Sequence, residues 1–265
     1  MTTPKNVPLR MELTFEVPGT PEQVWAAIAT ASGISSWFLL TDLEEYEGGT
    51  IVTHMGDEME SPGTVTGWNP PHRFAYEEPE WAALTGHDVD SVTPLATEFL
   101  VEAQSGGTCV VRVVSSAFGT GADWEQEFFA DMEKYWAPYF HHLRLYLTHF
   151  PGQRATPLEA GADLPGSPEA VLSAMRKALD VKEIGQPVEA RGLTGQVERI
   201  TDIQLLLRLD DPVPGLLAFF AIPKGDGVAV ASIQGWLFSD DAPGFVEREQ
   251  PAWKAWLEDL AIPAT

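Results

Sequence analysis

The chain is poor in cysteine, in basic side chains and in long apolar runs, and each shortage excludes something. One cysteine among 265 residues cannot close an internal disulfide, which fits a reducing compartment. Cys109 sits in the apolar run Gly-Gly-Thr-Cys-Val-Val and reads as a small buried hydrophobe, not a nucleophile. Only 16 Lys and Arg stand against 39 Asp and Glu, giving a formal charge of -23. Such a surface repels phosphate backbones and anionic lipid, so neither nucleic acid nor a membrane surface is an expected partner. No apolar run approaches the roughly 18 residues that cross a bilayer. The opening Met-Thr-Thr-Pro-Lys-Asn-Val-Pro lacks the apolar core of an export signal, and the expected location is the cytoplasm.

Signatures of bound metal or cofactor are also missing. There is no His-Glu-x-x-His and no cysteine pair, and the spacing of His141, His142 and His149 makes no single ligand face. The one Ser-Gly-Gly-Thr stretch falls in a hairpin turn, so it is not read as a phosphate loop. No metal and no cofactor are expected.

What the chain does have is pattern. In residues 9–17 Met11, Leu13, Phe15 and Val17 share one face of a strand. Thr20 then caps a helix with Pro21 in its first turn and Val24, Trp25 and Ile28 as its apolar stripe. Gly33–Leu40 then reads as a short second helix or turn, followed by strands around Ile51–Met55 and Gly63–Glu78, the latter broken by a Pro-Pro turn. Residues 80–94 read as an irregular interruption, either bordering a site or merely mobile. Leu95–Ala103 and Thr108–Ser116 form a hairpin. Gly-Thr-Gly-Ala-Asp at 119–123 is a turn leading to a helix cap at Asp123.

The helix from Asp123 to about residue 150 is unusually rich in rings. Phe128, Met132, Tyr135, Trp136, Tyr139, Leu143 and Leu147 fall on one stripe at helical spacing, while Asp131, Glu133, Lys134 and Arg144 fall largely elsewhere. Such a stripe either fills a core or borders a hollow. A buried Tyr or Trp needs a partner for its hydroxyl or NH, and an apolar pocket with few polar handles is the usual form of a small-molecule site.

The second half repeats the plan. Gly-Ser-Pro-Glu-Ala-Val at 166–171 matches Gly-Thr-Pro-Glu-Gln-Val at 19–24, and Gly195-Gln-Val197 matches Gly63-Thr-Val65. A second hairpin turns at Lys224–Gly227, and a closing helix carries Phe245, Trp253, Trp256, Leu257 and Leu260. The stretch 182–192 is too short for the second helix and second strand of the first copy. The reading is an internal duplication, with domains at 1–150 and 155–265 and the second copy degenerate. Residues 1–150 hold 22 acids against 6 bases, an excess read as serving solubility, while every His and every Tyr precedes residue 151. The first copy is therefore the expected site of any chemistry.

The order β-α-α-β(5–6)-α, with "TPEQVWAAIATASGISSWF", Gly48-Gly49, Gly56-Asp57, "GTVTGWNPPHRFAYEE" and the terminal helix, resembles the START/SRPBCC helix-grip superfamily. The likeness is closer to the branch of activator-of-heat-shock-ATPase homologues. "SPEAVLSAM" and "GQVERI" resemble it more faintly. The resemblance implies an α+β fold in which a curved antiparallel sheet wraps a long C-terminal helix, often with an apolar ligand between. The superfamily includes lipid carriers, hormone receptors, polyketide cyclases and stress co-chaperones, so it specifies fold better than activity.

The leading expectation is a pocket for a small apolar or aromatic molecule, lipid-like or polyketide-like, lined by Phe99, Phe128, Met132, Tyr135, Trp136 and Tyr139. Strand alternation turns Phe99 inward, and Trp25 and Trp37 lie on the helices that in this fold close one end. A void below roughly 300 Å³ would leave no drug-sized site, and this reading would fail. A cyclase-like or hydrolase-like enzyme in the same pocket would need His54, Arg112 or a pocket tyrosine to converge on one point. A co-chaperone-like module with a chaperone-type partner would show a filled pocket and an exposed apolar patch.

Overall fold

Strand β1 (Val7–Pro18) buries Leu9, Met11 and Val17 as its alternation requires. A computed structural model of the chain describes residues 5–56 and 59–262; Asp57 of the Gly-Asp pair lies outside them. Two compact units result, Met1–Arg154 and Ala155–Thr265.

In the first unit, helix α1 (Pro21–Ile28) begins with a capping box. The Thr20 amide donates to Gln23 Oε1 at 2.9 Å and the Gln23 amide to Thr20 Oγ1 at 3.4 Å, which satisfies two otherwise orphaned donors. Helix α2 (Ala31–Ile34) packs so closely that a Cβ on Gly33 would lie 1.9 Å from the Ala26 carbonyl oxygen. Strands β2 (Thr41–Leu43), β3 (Thr50–His54), β4 (Glu60–Asn69), β5 (Arg73–Glu78), β6 (Leu95–Ala103) and β7 (Thr108–Gly119) follow. They join β1 in one antiparallel sheet of order β1-β7-β6-β5-β4-β3-β2. Helix α3 (Asp123–His149) runs through Pro138 and meets the sheet through rings: Phe140 stacks on Phe15 of β1 at 4.5 Å between centroids. This is the helix-grip arrangement.

Sequence alternation leaves the facing of Gly63–Asn69 open, and a bulge in β4 is the reason. Val65 pairs with Tyr76, Gly67 with Ala75 and Trp68 with Phe74. The extra residue lets Val65 and Trp68 both sit on the face of Tyr76 and Phe74. Gly67 is turned the other way beneath Arg73, whose Nη1 lies 2.1 Å from where a Cβ would stand.

The start of α3 differs from expectation. Its N-cap position is Ala122, not Asp123, and no N-cap side chain serves it. Glu125, fully buried, reaches back instead: it accepts from the Thr120 amide and hydroxyl and the Gly121 amide, each at 2.8 Å. Burial works against its charge, yet these donors outweigh it and hold the carboxyl below its ordinary value.

The second unit runs β8 (Thr156–Pro165), α4 (Pro168–Ala178), β9 (Pro187–Ala190), β10 (Leu193–Ile200), β11 (Gln204–Asp211), β12 (Gly215–Gly225), β13 (Val228–Leu237) and α5 (Ala242–Glu258). Its sheet order, β8-β13-β12-β11-β10-β9, is that of the first unit less one strand. The short stretch 182–192 supplies β9 alone, with no helix between α4 and β9 among the described residues. One apolar cluster runs through this unit, from Leu158 and Met175 to Leu209, Phe219 and Trp253.

Candidate functional site

Between α3 and the sheet of the first unit lies a cleft of about 200 Å³. Helix α3 gives it Phe128, Asp131, Met132, Tyr135 and Trp136; the sheet gives Thr53, Ser61, Tyr76, Glu78 and Leu95. Phe38, Leu39 and Met55 also line it, as do Trp81 and Leu84 from the segment at 80–94, which holds two short 3-10 turns, Trp81–Thr85 and Val89–Ser91. Trp81 is fully buried and its Nε1 donates to the Thr93 carbonyl at 2.8 Å. A smaller chamber of about 20 Å³ adjoins it, lined in part by Trp37, Phe74, Phe99 and Phe140 and sharing Phe38, Thr53, Tyr76 and Trp136 with the cleft.

The volume corrects one expectation. About 200 Å³ falls short of the roughly 300 Å³ at which drug-sized sites begin, so the cleft has no room for a whole lipid or polyketide. It does suit one substituted ring, since an apolar cavity of about 150 Å³ accepts benzene.

Of the residues singled out in the sequence, Phe128, Met132, Tyr135 and Trp136 line the cleft, and Trp37 and Phe99 line the chamber. Tyr139 and Trp25 stand behind the walls. Tyr139 meets Phe38 edge-on at 4.8 Å, and Trp25 meets Trp68 at 5.1 Å. Two residues are corrected. Arg112 is exposed, facing away from its buried neighbours Val111 and Val113, with Glu12 3.7 Å away. His54 follows the cleft-lining Thr53 and so faces the other way. There it lies 3.0 Å from Asp42 and 3.1 Å from Glu60, and the Asp42 hydrogen bond raises its pKa. Neither lines the cleft, so the convergence that an enzyme built on His54 and Arg112 requires is not found. Asp131, expected off the stripe, stands exposed at the cleft mouth.

The polar centre of the cleft is a residue the sequence did not single out. Glu78 is 7% exposed and accepts one hydrogen bond, from Ser61 Oγ at 2.5 Å. Burial pushes its carboxyl up to about 7, with the Ser61 bond pulling the other way. Gly63 makes room for it, because a Cβ there would lie 3.2 Å from Glu78 Cγ. Two residues along the same face, Tyr76 is also buried. Burial drives its hydroxyl well above the usual range, the Glu78 charge adds to that, and Thr97 opposes it. Thr97 in turn meets Ser115 at 3.0 Å, both fully buried. A polar row thus crosses the sheet from Ser61 to Ser115. The usable signal was alternation in β5, which puts Glu78 on the face of Phe74 and Tyr76. The neighbouring Glu77, Pro79 and Glu80 disguise it as part of a solvated acidic run.

The second unit has the same register without the row. Gly195 pairs with Leu209 and Val197 with Leu207, as Gly63 lies against Glu78 and Val65 pairs with Tyr76. Leu207 pairs with Leu217, and Leu217 with Gly235, where the first unit has Tyr76, Thr97 and Ser115. Leucine stands at the positions of Glu78, Tyr76 and Thr97.

Comparison with known proteins bears on the first unit above all. Residues 18–148 match the family described as "Activator of Hsp90 ATPase homolog 1-like protein". None of the curated proteins matches the chain. Among solved structures, the Aha1 dimer from Colwellia psychrerythraea is 19% identical, covering 52% of this chain and 96% of its own, with a TM-score of 0.43. CalU16 from Micromonospora echinospora is 13% identical over 56% of this chain and 82% of its own, at 0.42. DynU16, a protein of the dynemicin biosynthetic locus, is 15% identical and covers 94% of this chain and 96% of its own, at 0.43.

Proposed function

We propose that the chain, whose residues 18–148 match the family described as activator of Hsp90 ATPase homolog 1-like proteins, binds a compact apolar or aromatic small molecule between α3 and the sheet of the first unit. One observation carries this reading: ring-bearing walls from the helix, the sheet and the 80–94 segment enclose about 200 Å³ around very few polar groups. The test is calorimetric titration of the whole protein with benzyl alcohol, beside Leu84→Trp, which fills the cleft from its half-buried side wall. Wild type should bind and the filled variant should not. No heat of binding up to millimolar concentration from benzyl alcohol or from its charged analogues, or equal binding by both proteins, removes the proposal.

The family match itself favours a second reading, a chaperone-type protein partner. An open cleft where a filled pocket was expected weakens it. Pull-down with the host's own heat-shock ATPase at low and high salt tests it, and absence of salt-sensitive capture excludes it.

A further inference from the structure

We infer that the cleft of the first unit is built for a small organic cation, an ammonium on a compact apolar body, with Glu78 as its anionic partner. This rests on the small-molecule reading above and goes further by fixing the ligand's charge.

Three features of the cleft converge on a cation. Six of its lining residues carry rings, Phe38, Tyr76, Trp81, Phe128, Tyr135 and Trp136, the side-chain type from which aromatic cages for ammonium groups are built. Its ionisable lining is acidic: Glu78 inside and Asp131 at the mouth, with no Lys, Arg or His among the described lining residues. A carboxylate or phosphate ligand would meet like charge and no cationic donor, only hydroxyls and indole NH groups, among the described lining residues. Finally, Glu78 is buried with a single hydrogen bond among the described residues, from Ser61, while an ionised carboxylate has about four acceptor sites.

Long-range charge points the same way. The first 150 residues carry 22 acids against 6 bases, which draws cations toward the unit and slows anions.

The titratable groups that share the cleft with Glu78 are Tyr76 on its own strand and Asp131 and Tyr135 on α3. Only the ionised acid pairs with an ammonium, so affinity should follow its ionisation. With the carboxyl at about 7, binding should tighten roughly tenfold from pH 6 to pH 8.

Three probes share one ring and differ in charge: benzylammonium, benzyl alcohol and benzoate. They are titrated into the full chain and into Glu78→Gln at pH 6 and pH 8. The expected result at pH 8 is benzylammonium at least tenfold tighter than benzyl alcohol, benzoate without measurable binding, and Glu78→Gln levelling the first two. The wild-type pH series supplies a second readout that needs no variant. If benzyl alcohol binds as well as benzylammonium, or the glutamine variant keeps the preference, the cation assignment is overturned and the small-molecule reading stands. If none of the three binds, both fall.

Discussion

Replacing Glu78 with glutamine should stabilise the first unit at alkaline pH and change it little at acid pH. Burial raises the native carboxyl from 4.5 to about 7, whereas in the unfolded chain it titrates near its ordinary value. Between those two values the native state holds a proton that the unfolded state has released, so stability falls as pH rises. At about 1.4 kcal/mol per pH unit the gap amounts to about 3 kcal/mol, complete slightly above pH 7 and constant beyond. Glutamine is uncharged throughout, nearly isosteric, and keeps an oxygen that can accept from Ser61. Urea unfolding of both proteins from pH 5 to pH 9, following the transition of the first unit, measures the effect. The advantage of the variant should grow from under about 1 kcal/mol at pH 5 to about 3 kcal/mol at pH 8. A difference that does not grow with pH, or a wild type more stable at pH 8, would show that Glu78 is not desolvated as the geometry requires.

Three further outcomes are expected. Glu125→Ala strips α3 of its N-terminal acceptor and leaves the Thr120 and Gly121 donors unpaired, costing about 2–3 kcal/mol by urea unfolding at pH 7. Because the Glu125 carboxyl is depressed, its contribution is present at neutral pH and lost as pH falls through the native value, so that cost should shrink in acid. Phe140→Ala, removing the ring stacked on Phe15 and near Trp37, should cost about 3–5 kcal/mol in the same assay. The double variant Ser61→Leu/Glu78→Leu copies the residues at the matching positions of the second unit, Leu193 and Leu209. It should keep the native circular dichroism, be at least as stable as wild type at pH 8, and lose any preference for benzylammonium.

The fold was legible because its signals are periodic and local. Alternation in β1 and β6, the Thr20-Pro21 and Ser167-Pro168 starts and the ring stripe of α3 each follow from spacing alone, and all recur in the structure. Half of the site was legible for the same reason: Phe128, Met132, Tyr135 and Trp136 share a helical face. The polar half was not. Glu78 looks like a solubilising acid until β5 is seen buried on its inner face, and Trp81 lies in a segment with no periodicity to read. Arg112 and His54 were attractive because of their chemistry, but strand alternation puts both on the face opposite the cleft. In β4 one inserted residue defeated the period-two rule at Thr66.

The comparison between the two units separates what the fold needs from what the site needs. Both keep the glycine and the valine two residues later, and in both the glycine sits where a Cβ would strike backbone: 2.7 Å from the Glu77 oxygen at Gly63, and 2.1 Å from the Arg208 oxygen at Gly195. That feature belongs to strand packing, since it persists where no polar row exists. The row itself does not persist. A sheet of the same order closes on Leu205, Leu207, Leu209 and Leu217 in the second unit, so hydroxyls and a carboxyl are not required to hold such a sheet together. Retaining Glu78 costs the empty first unit about 3 kcal/mol at neutral pH and above, a large share of the 5–15 kcal/mol that stabilises a typical domain. A buried acid kept at that cost, in a cleft, where leucine serves the same position elsewhere in the chain, is what a binding group would be and a structural group would not. An ammonium beside Glu78 would lower its pKa and offset the penalty of burying its charge. The stabilisation such a ligand confers should therefore be greatest at the alkaline pH where the empty unit is weakest.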